Sequence, residues 1–170
     1  MGKNESGQKK RSIAIFAAGC FWSKEYHFQK QPGVVSTRVG FTGGHLPKPG
    51  YQEVCRKDTG HAEAVEVSFD PDQTNFRCLA KYFFQFHDPT VDRTENGGQY
   101  RSAIFYHNET QKEVAEQLIE ELKTNGYAVK TTLERATTFW PAEARHQKYC
   151  ESRGMQPRDH FQQRFEKTST

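Results

Sequence analysis

The chain of 170 residues has only four cysteines, at positions 20, 55, 78 and 150, and they form neither a C-x-x-C pair nor any metal-ligand spacing. That sets aside a zinc or iron–sulfur centre. So few cysteines in a chain of this size also set aside a disulfide-stapled secreted scaffold, so a reduced, cytoplasmic protein is expected, with at least one thiol used for chemistry. Apolar content is low, 34% of residues, and no stretch approaches the length of a membrane span. Charge of one sign is missing too: the formal net charge is +3 and basic residues are scattered apart from Lys9-Lys10-Arg11, which leaves no nucleic-acid footprint. There is no internal repeat and no interdomain linker. The first ten residues are polar, lack the apolar stretch of a secretory leader, and read as a disordered tail on a single domain spanning 11–170. They do match the short myristoylation pattern M-G-x-x-x-[ST] at Met1-Gly2-Lys3-Asn4-Glu5-Ser6.

Aromatics are plentiful: 13 Phe, 7 Tyr and 2 Trp. With a mean hydropathy of −0.92, the core has to lean on them, since each buries a large area. Residues 11–16 read as a short strand, and 20–29 hold no Gly or Pro and can be helical. A second strand is expected over 34–41, followed by a loop over 43–50 with two prolines. Residues 64–69 alternate apolar and polar and form the clearest strand, stopped by Asp70-Pro71. Cys78, Leu79, Tyr82, Phe83 and Phe86 recur at helical spacing, which predicts an amphipathic helix over 75–86 with Cys78 in its apolar stripe. A strand over 103–106 leads to Asn108, a cap for a helix over 109–123 that Gly126 ends. A strand over 131–133 and a short helix over 142–151 complete the pattern, and the polar tail after Gly154 reads as loosely held. The order implies an α+β sandwich, one sheet with helices packed on it.

The most informative word is Ala17-Ala18-Gly19-Cys20-Phe21-Trp22, between the first strand and the first helix. Gly19 allows a tight turn, and Cys20 then stands at the first helical turn, where unpaired N–H groups and the positive end of the dipole favour thiolate over thiol. That suits a nucleophile. A free cysteine is equally at home as a small buried apolar residue, and the local pattern alone leaves both uses open.

The wider context narrows the choice. Gly19-Cys20-Phe21-Trp22 is followed by Gly40-Phe41-Thr42-Gly43-Gly44, Tyr51-Gln52-Glu53-Val54-Cys55 and Thr59-Gly60-His61-Ala62-Glu63. His87-Asp88-Pro89, Gln99-Tyr100-Arg101-Ser102, and Pro141-Ala142-Glu143 with His146-Gln147 come after. In content, order and spacing these words resemble the peptide methionine sulfoxide reductases of the A type, from about Ile13 to Cys150. The resemblance implies a mixed sheet with a ferredoxin-like core and long functional loops. It also implies thiol-dependent reduction of the S epimer of methionine sulfoxide, free or in proteins, as repair after oxidative stress. Cys20 would attack the sulfoxide sulfur and become a sulfenic acid. Glu63 would be the acid, protonated among aromatic side chains, with Tyr51 and Tyr100 as further donors. Phe21 and Trp22 would clasp the S-methyl group. No metal or organic cofactor is implied, and a thioredoxin-like reductant would close the cycle of a chain expected to be a monomer. His61 and His87 are bases by type, but the family's acid is the carboxyl, so they are expected to hold loops. Asp88 is expected to initiate a turn.

Two departures from the family stand out. The loop between His87-Asp88-Pro89 and Gln99 is about three residues shorter than usual. Counting back from Tyr100 puts its acidic substrate-binding residue at Glu95, whereas counting forward from Asp88 suggests Asp92; the tyrosine anchor favours Glu95. The tail Gln156-Pro157-Arg158-Asp159-His160 also lacks the family's recycling cysteine. With Cys78 expected in the core and Cys55 packed in a loop, Cys150 is left as the resolving thiol, on a segment expected to be mobile from Tyr149 onward. Two other classes compete: a cysteine hydrolase using Cys20 with His61 or His87, and a non-catalytic redox sensor on the same fold.

Overall fold

The computed structural model describes residues 11–165; the expected N-terminal tail and its lipidation pattern lie outside them. Among these residues the order is β1 (Ser12–Ala18), α1 (Phe21–Gln29), β2 (Val34–Thr42), α2 (Tyr51–Cys55), β3 (Ala62–Phe69) and α3 (Phe76–Phe86). It continues with β4 (Ser102–Tyr106), α4 (Glu109–Thr124), β5 (Thr132–Arg135), β6 (Trp140–Pro141) and α5 (Tyr149–Ser152). The strands form one sheet in the order β5-β4-β1-β3-β2-β6. All pairings are antiparallel except β4 with β5, whose parallel register follows from the crossover through α4. The inner order β4-β1-β3-β2, with α1 and α3 as its two connections, is the ferredoxin-like core, so the α+β expectation holds.

The alternation of β1 divides the core in two. Ala14, Phe16 and Ala18 face the helical layer with Phe28, Phe76 and Phe83, whereas Ile15 and Ala17 face the opposite side with Ala64, Ala103 and Phe105. Phe16 is the hub of the first cluster, stacked on Phe28, Phe76 and Phe83 at ring separations of 5.1, 5.9 and 5.2 Å. Each such ring contributes about 2–3 kcal/mol through area removed from water. Aromatic bulk thus supplies the volume that the modest aliphatic content lacks.

Several expectations need correction. Cys78 is exposed, not core. The buried face of α3 is set by Phe76, Leu79, Ala80, Phe83 and Phe84. Cys78 lies on the opposite side of that helix, in its first turn, donating its amide to the capping Asn75 Oδ1 at 2.8 Å. The helix expected over 142–151 is instead a 3₁₀ turn, Ala144–His146, and the one-turn α5, parted by Lys148 in the left-handed region (φ 53°). Nor is the tail loose throughout. Phe165 is buried, and Arg164 is buried with Nη1 donating to the carbonyls of Phe84, Gln85 and His87. Those carbonyls end α3 without intrahelical partners, which gives a polar tail something to bind. Strand β3 begins at Ala62, two residues before the alternation over 64–69, so Glu63 stands inside it and is buried.

Candidate active site

Strand β1 delivers Cys20. Gly19 adopts φ 98°, a conformation L side chains rarely take, and turns the chain so that Cys20 becomes the N-cap of α1. The residue is exposed, yet its surroundings partly desolvate the thiol. Desolvation pushes the thiol up, and Glu63 adds to the rise, while the amides of Trp22 and Ser23 and the Lys24 ammonium pull it down. The expected bias toward thiolate is therefore overruled: helix-end stabilisation is present but smaller than the cost of desolvation.

Opposite the cysteine, the backbone of Phe21 donates to Glu63 Oε1 at 3.2 Å. Gln99 Nε2 donates to Glu63 Oε2 at 2.7 Å, and the Glu63 amide donates to the Gln99 carbonyl at 2.9 Å. The carboxyl is 1% exposed. Burial pushes it up to about 7, against the opposing pull of Gln99, the Phe21 amide and Lys57. It therefore carries its proton up to near neutrality, bonded to the amide of the residue that follows Cys20. Tyr51 and Tyr100 stand near Glu63 as well; burial, and then the nearby Glu63 charge, pushes Tyr100 up to about 12 and raises Tyr51 too, so both stay protonated donors.

The apolar wall differs from the expectation in one respect. Phe21 is 1% exposed and packs beneath the pocket against Phe41 and Tyr51, so it backs the wall rather than lining it. Trp22 is the half-buried surface. Its ring stacks on Tyr149 at 3.9 Å and its indole N–H donates to His146 Nδ1 at 3.1 Å, while His146 stacks on Tyr51 at 4.5 Å. His146, Tyr149 and Gln99 were not singled out from the sequence. His146 and Gln99 stand within family words, but only the contacts bring these residues against Trp22, Tyr51 and Glu63.

The loops converge for identifiable reasons. A Cβ on Gly44 would meet the His61 amide at 2.3 Å, so glycine is needed where the loop after β2 crosses the one before β3. His61 ties those loops together, with Nδ1 accepting from the Gly44 amide at 3.0 Å and Nε2 facing the Leu46 carbonyl at 2.7 Å. His87 is committed as well, to the Phe83 carbonyl at 2.6 Å and Ser102 Oγ at 2.8 Å, and burial holds it down to about 3. Neither imidazole is free to serve Cys20, so the hydrolase arrangement is not assembled. Arg101 pairs with Glu134 and donates to the carbonyls of Gly60 and Gly98, clamping the two loops that carry Glu63 and Gln99-Tyr100. Asp88 Oδ1 accepts from the Thr90 amide, the turn its sequence suggested.

Glu95 and Asp92 are both exposed beside a cleft of about 330 Å³ that Tyr100, Gln99, Lys57 and Arg93 also line. Asp92 Oδ1 accepts from the amide and hydroxyl of Thr94 at 2.9 and 2.6 Å, which ties that carboxylate into its own turn, whereas the Glu95 carboxylate has no such bond among the described residues. The remaining thiols lie apart. Cys55, four residues along α2 from Tyr51, accepts from Gln99 Nε2 at 3.5 Å, so it borders the acid. Cys150 is 3% exposed, packed under the first turn of α1 with its thiol 3.5 Å from the Trp22 carbonyl. Held so, and with Tyr149 stacked on Trp22, the segment expected to be mobile is packed in place.

The family model described as "Peptide methionine sulfoxide reductase" matches residues 12–170. Peptide methionine sulfoxide reductase MsrA of Methanosarcina acetivorans is 47% identical over 148 residues, covering 84% of this chain and 79% of the relative. Among solved structures, reduced Mxr1 from Saccharomyces cerevisiae superposes with a TM-score of 0.79 at 31% identity, over 88% of this chain and 90% of that one. The same yeast protein in complex with Trx2 gives 0.58 at 26% identity, over 85% and 91%.

Proposed function

The chain belongs to the peptide methionine sulfoxide reductase family, and on that premise we infer that it reduces the S epimer of methionine sulfoxide, free or in proteins, through a sulfenic acid on Cys20. The observation that carries this reading is the buried Glu63 carboxyl, protonated up to about pH 7 and bonded to the amide that follows Cys20. The Cys20 sulfur attacks the sulfoxide sulfur while Glu63 protonates the oxygen, with Tyr51 and Tyr100 as further donors to it. Oxygen leaves methionine and ends as the hydroxyl on Cys20, and the thiol's own proton restores Glu63. A resting thiol opposite a neutral acid suits this exchange, because both protons are present when substrate arrives. Trp22 receives the S-methyl group, with Phe21 behind it, and Glu95 receives a polar group of the substrate backbone.

Recycling falls to Cys150 and a thioredoxin-like reductant. Attack of the Cys150 thiol on the sulfenic sulfur releases water and forms a disulfide, which the reductant opens. Its place beneath the first turn of α1 supports the role. The disulfide needs a Cα separation of roughly 4.4–6.8 Å, and the Cys150 thiol has to turn from the Trp22 carbonyl to Cys20. The protein is taken to work as a cytoplasmic monomer; no described helix is long and apolar enough to cross a membrane. The deciding experiment follows an oxidised Met-containing peptide by mass spectrometry with dithiothreitol as reductant. Loss of one epimer is the expected result; an unchanged sulfoxide refutes the reading.

A further inference from the structure

At the end of β1, against Ala18, lies a second cavity of about 400 Å³ whose walls include Lys24, Phe86, Asp88, Arg93, His160 and Arg164. Lys24 follows Cys20 by one helical turn, which places it on the same face of α1. Its ammonium stands 5.5 Å from the Phe86 ring centroid and has no hydrogen bond or ion pair among the described residues. Arg93 hangs over the turn before the nucleophile, close enough that a Cβ on Gly19 would lie 3.1 Å from its Nη1. Its guanidinium is likewise unbonded among the described residues, and it forms the partition between this cavity and the cleft of Tyr100 and Glu95.

The opposing charge is smaller. Asp88 is engaged by the amide and hydroxyl of Thr90 at 2.9 and 2.6 Å. Asp159 faces Lys24 from outside the cavity, with its Oδ1 accepting from the Phe161 amide at 3.0 Å. Arg164 adds a third cation to the wall, already satisfied by carbonyls at Nη1. Two unbonded cations that repel each other, one of them partly desolvated, are a standing cost that an anion between them would relieve.

We propose that this cavity receives a carboxylate of the substrate, held by Lys24 and Arg93, so that the enzyme favours methionine sulfoxide presented with a negative charge next to it. The proposal rests on the reductase reading and names the substrate class of that site. Geometry limits the source. With the sulfoxide at Cys20, an adjoining residue is one chain step away, roughly 3.3–3.6 Å, so the side chain of a neighbouring Asp or Glu reaches one helical turn along α1. The α-carboxylate of free methionine sulfoxide reaches as well.

The test compares kcat/KM for blocked peptides in which the sulfoxide is flanked by Glu or by Gln, and for N-acetylmethionine sulfoxide against its methylamide. The charged member of at least one pair should be favoured by roughly five- to tenfold at low salt, as a partly screened charge-assisted contact supplies. Preference in the peptide pair identifies a side chain as the source, and preference confined to the acetyl pair identifies the α-carboxylate. The preference should fall toward one in Lys24→Gln and in Arg93→Gln, and in wild type as salt rises. Arg93 is exposed, so its variant keeps the test alive should Lys24→Gln fail to fold. Ratios of one in wild type overturn the proposal. So does a Lys24→Gln variant that slows charged and neutral substrates equally, which would mean the ammonium acts on the Cys20 thiol alone. Absence of turnover on every substrate refutes the reductase reading instead. The carboxylate site is then judged by equilibrium binding of the unoxidised Glu and Gln peptides, where equal affinity overturns it.

Discussion

Replacing Glu63 with Gln should cost activity and add stability, and the two effects should follow pH in opposite ways. Glu63 is buried, and its carboxyl rises from 4.5 to about 7 because the pocket desolvates it more than Gln99 and the Phe21 amide compensate. A carboxyl whose folded pKa is raised favours folding least when ionised. Its burden is absent below about pH 4.5, grows as pH rises through the interval up to about 7, and is complete above it. The rise corresponds to about 3 kcal/mol at alkaline pH. Gln has the same shape and no charge, its carbonyl can still accept from Phe21, and Gln99 can turn its amide to meet it. Glu63→Gln should therefore match wild type near pH 4 and exceed it by up to about 3 kcal/mol at pH 8–9. For a chain of this size that is roughly 6–12 °C in melting temperature. Single-turnover sulfenic acid formation should meanwhile fall by roughly a hundred- to ten-thousandfold, the span of general-acid loss, and the wild-type rate should itself decline as pH rises through about 7. Thermal melts at half-unit pH steps, paired with rapid-quench sulfenic acid trapping, read both effects. A stability difference that does not change with pH would refute the buried-acid reasoning, and an unchanged single-turnover rate would remove Glu63 from the chemistry.

Cys20→Ser should keep the fold and lose reduction, since a hydroxyl near neutral pH is a far weaker nucleophile; substantial residual activity in a dithiothreitol assay would reassign the nucleophile. Cys150→Ser should retain the first turnover and lose thioredoxin-supported cycling while dithiothreitol still rescues it. Non-reducing peptide mapping of wild type after excess sulfoxide should show a Cys20–Cys150 bridge, whereas a Cys20–Cys55 bridge would pass the role to the thiol beside Gln99. Gly44→Ala should destabilise the protein by roughly 1–3 kcal/mol in urea unfolding, because the new methyl has no room against the His61 backbone amide.

Much of the fold was legible because its signals are local. The alternation over 64–69, the caps at Asn75 and Asn108, and the Gly-Cys turn after the first strand each act within a few residues. These set the elements and, through their order, the sheet. The reading of Cys20 as nucleophile drew on a local turn as well as on family words, whereas the reading of Glu63 as acid drew on family words alone, since nothing in its own neighbourhood marks it as buried. Strand β6 and the split of 142–151 were not legible, because two paired residues and a left-handed lysine depend on β2 and α1 across the molecule. Cys78 shows the limit of periodicity: a cysteine is apolar enough to join a stripe, but the bulk of Phe76, Leu79 and Phe83 decides which side of α3 turns inward. Charge state was legible only in part. A protonated Glu63 was expected through the family words, and its burial agrees. A helix N-terminus argued for a thiolate at Cys20, and there burial reversed the expectation, because desolvation depends on what every other segment brings to the same few ångströms.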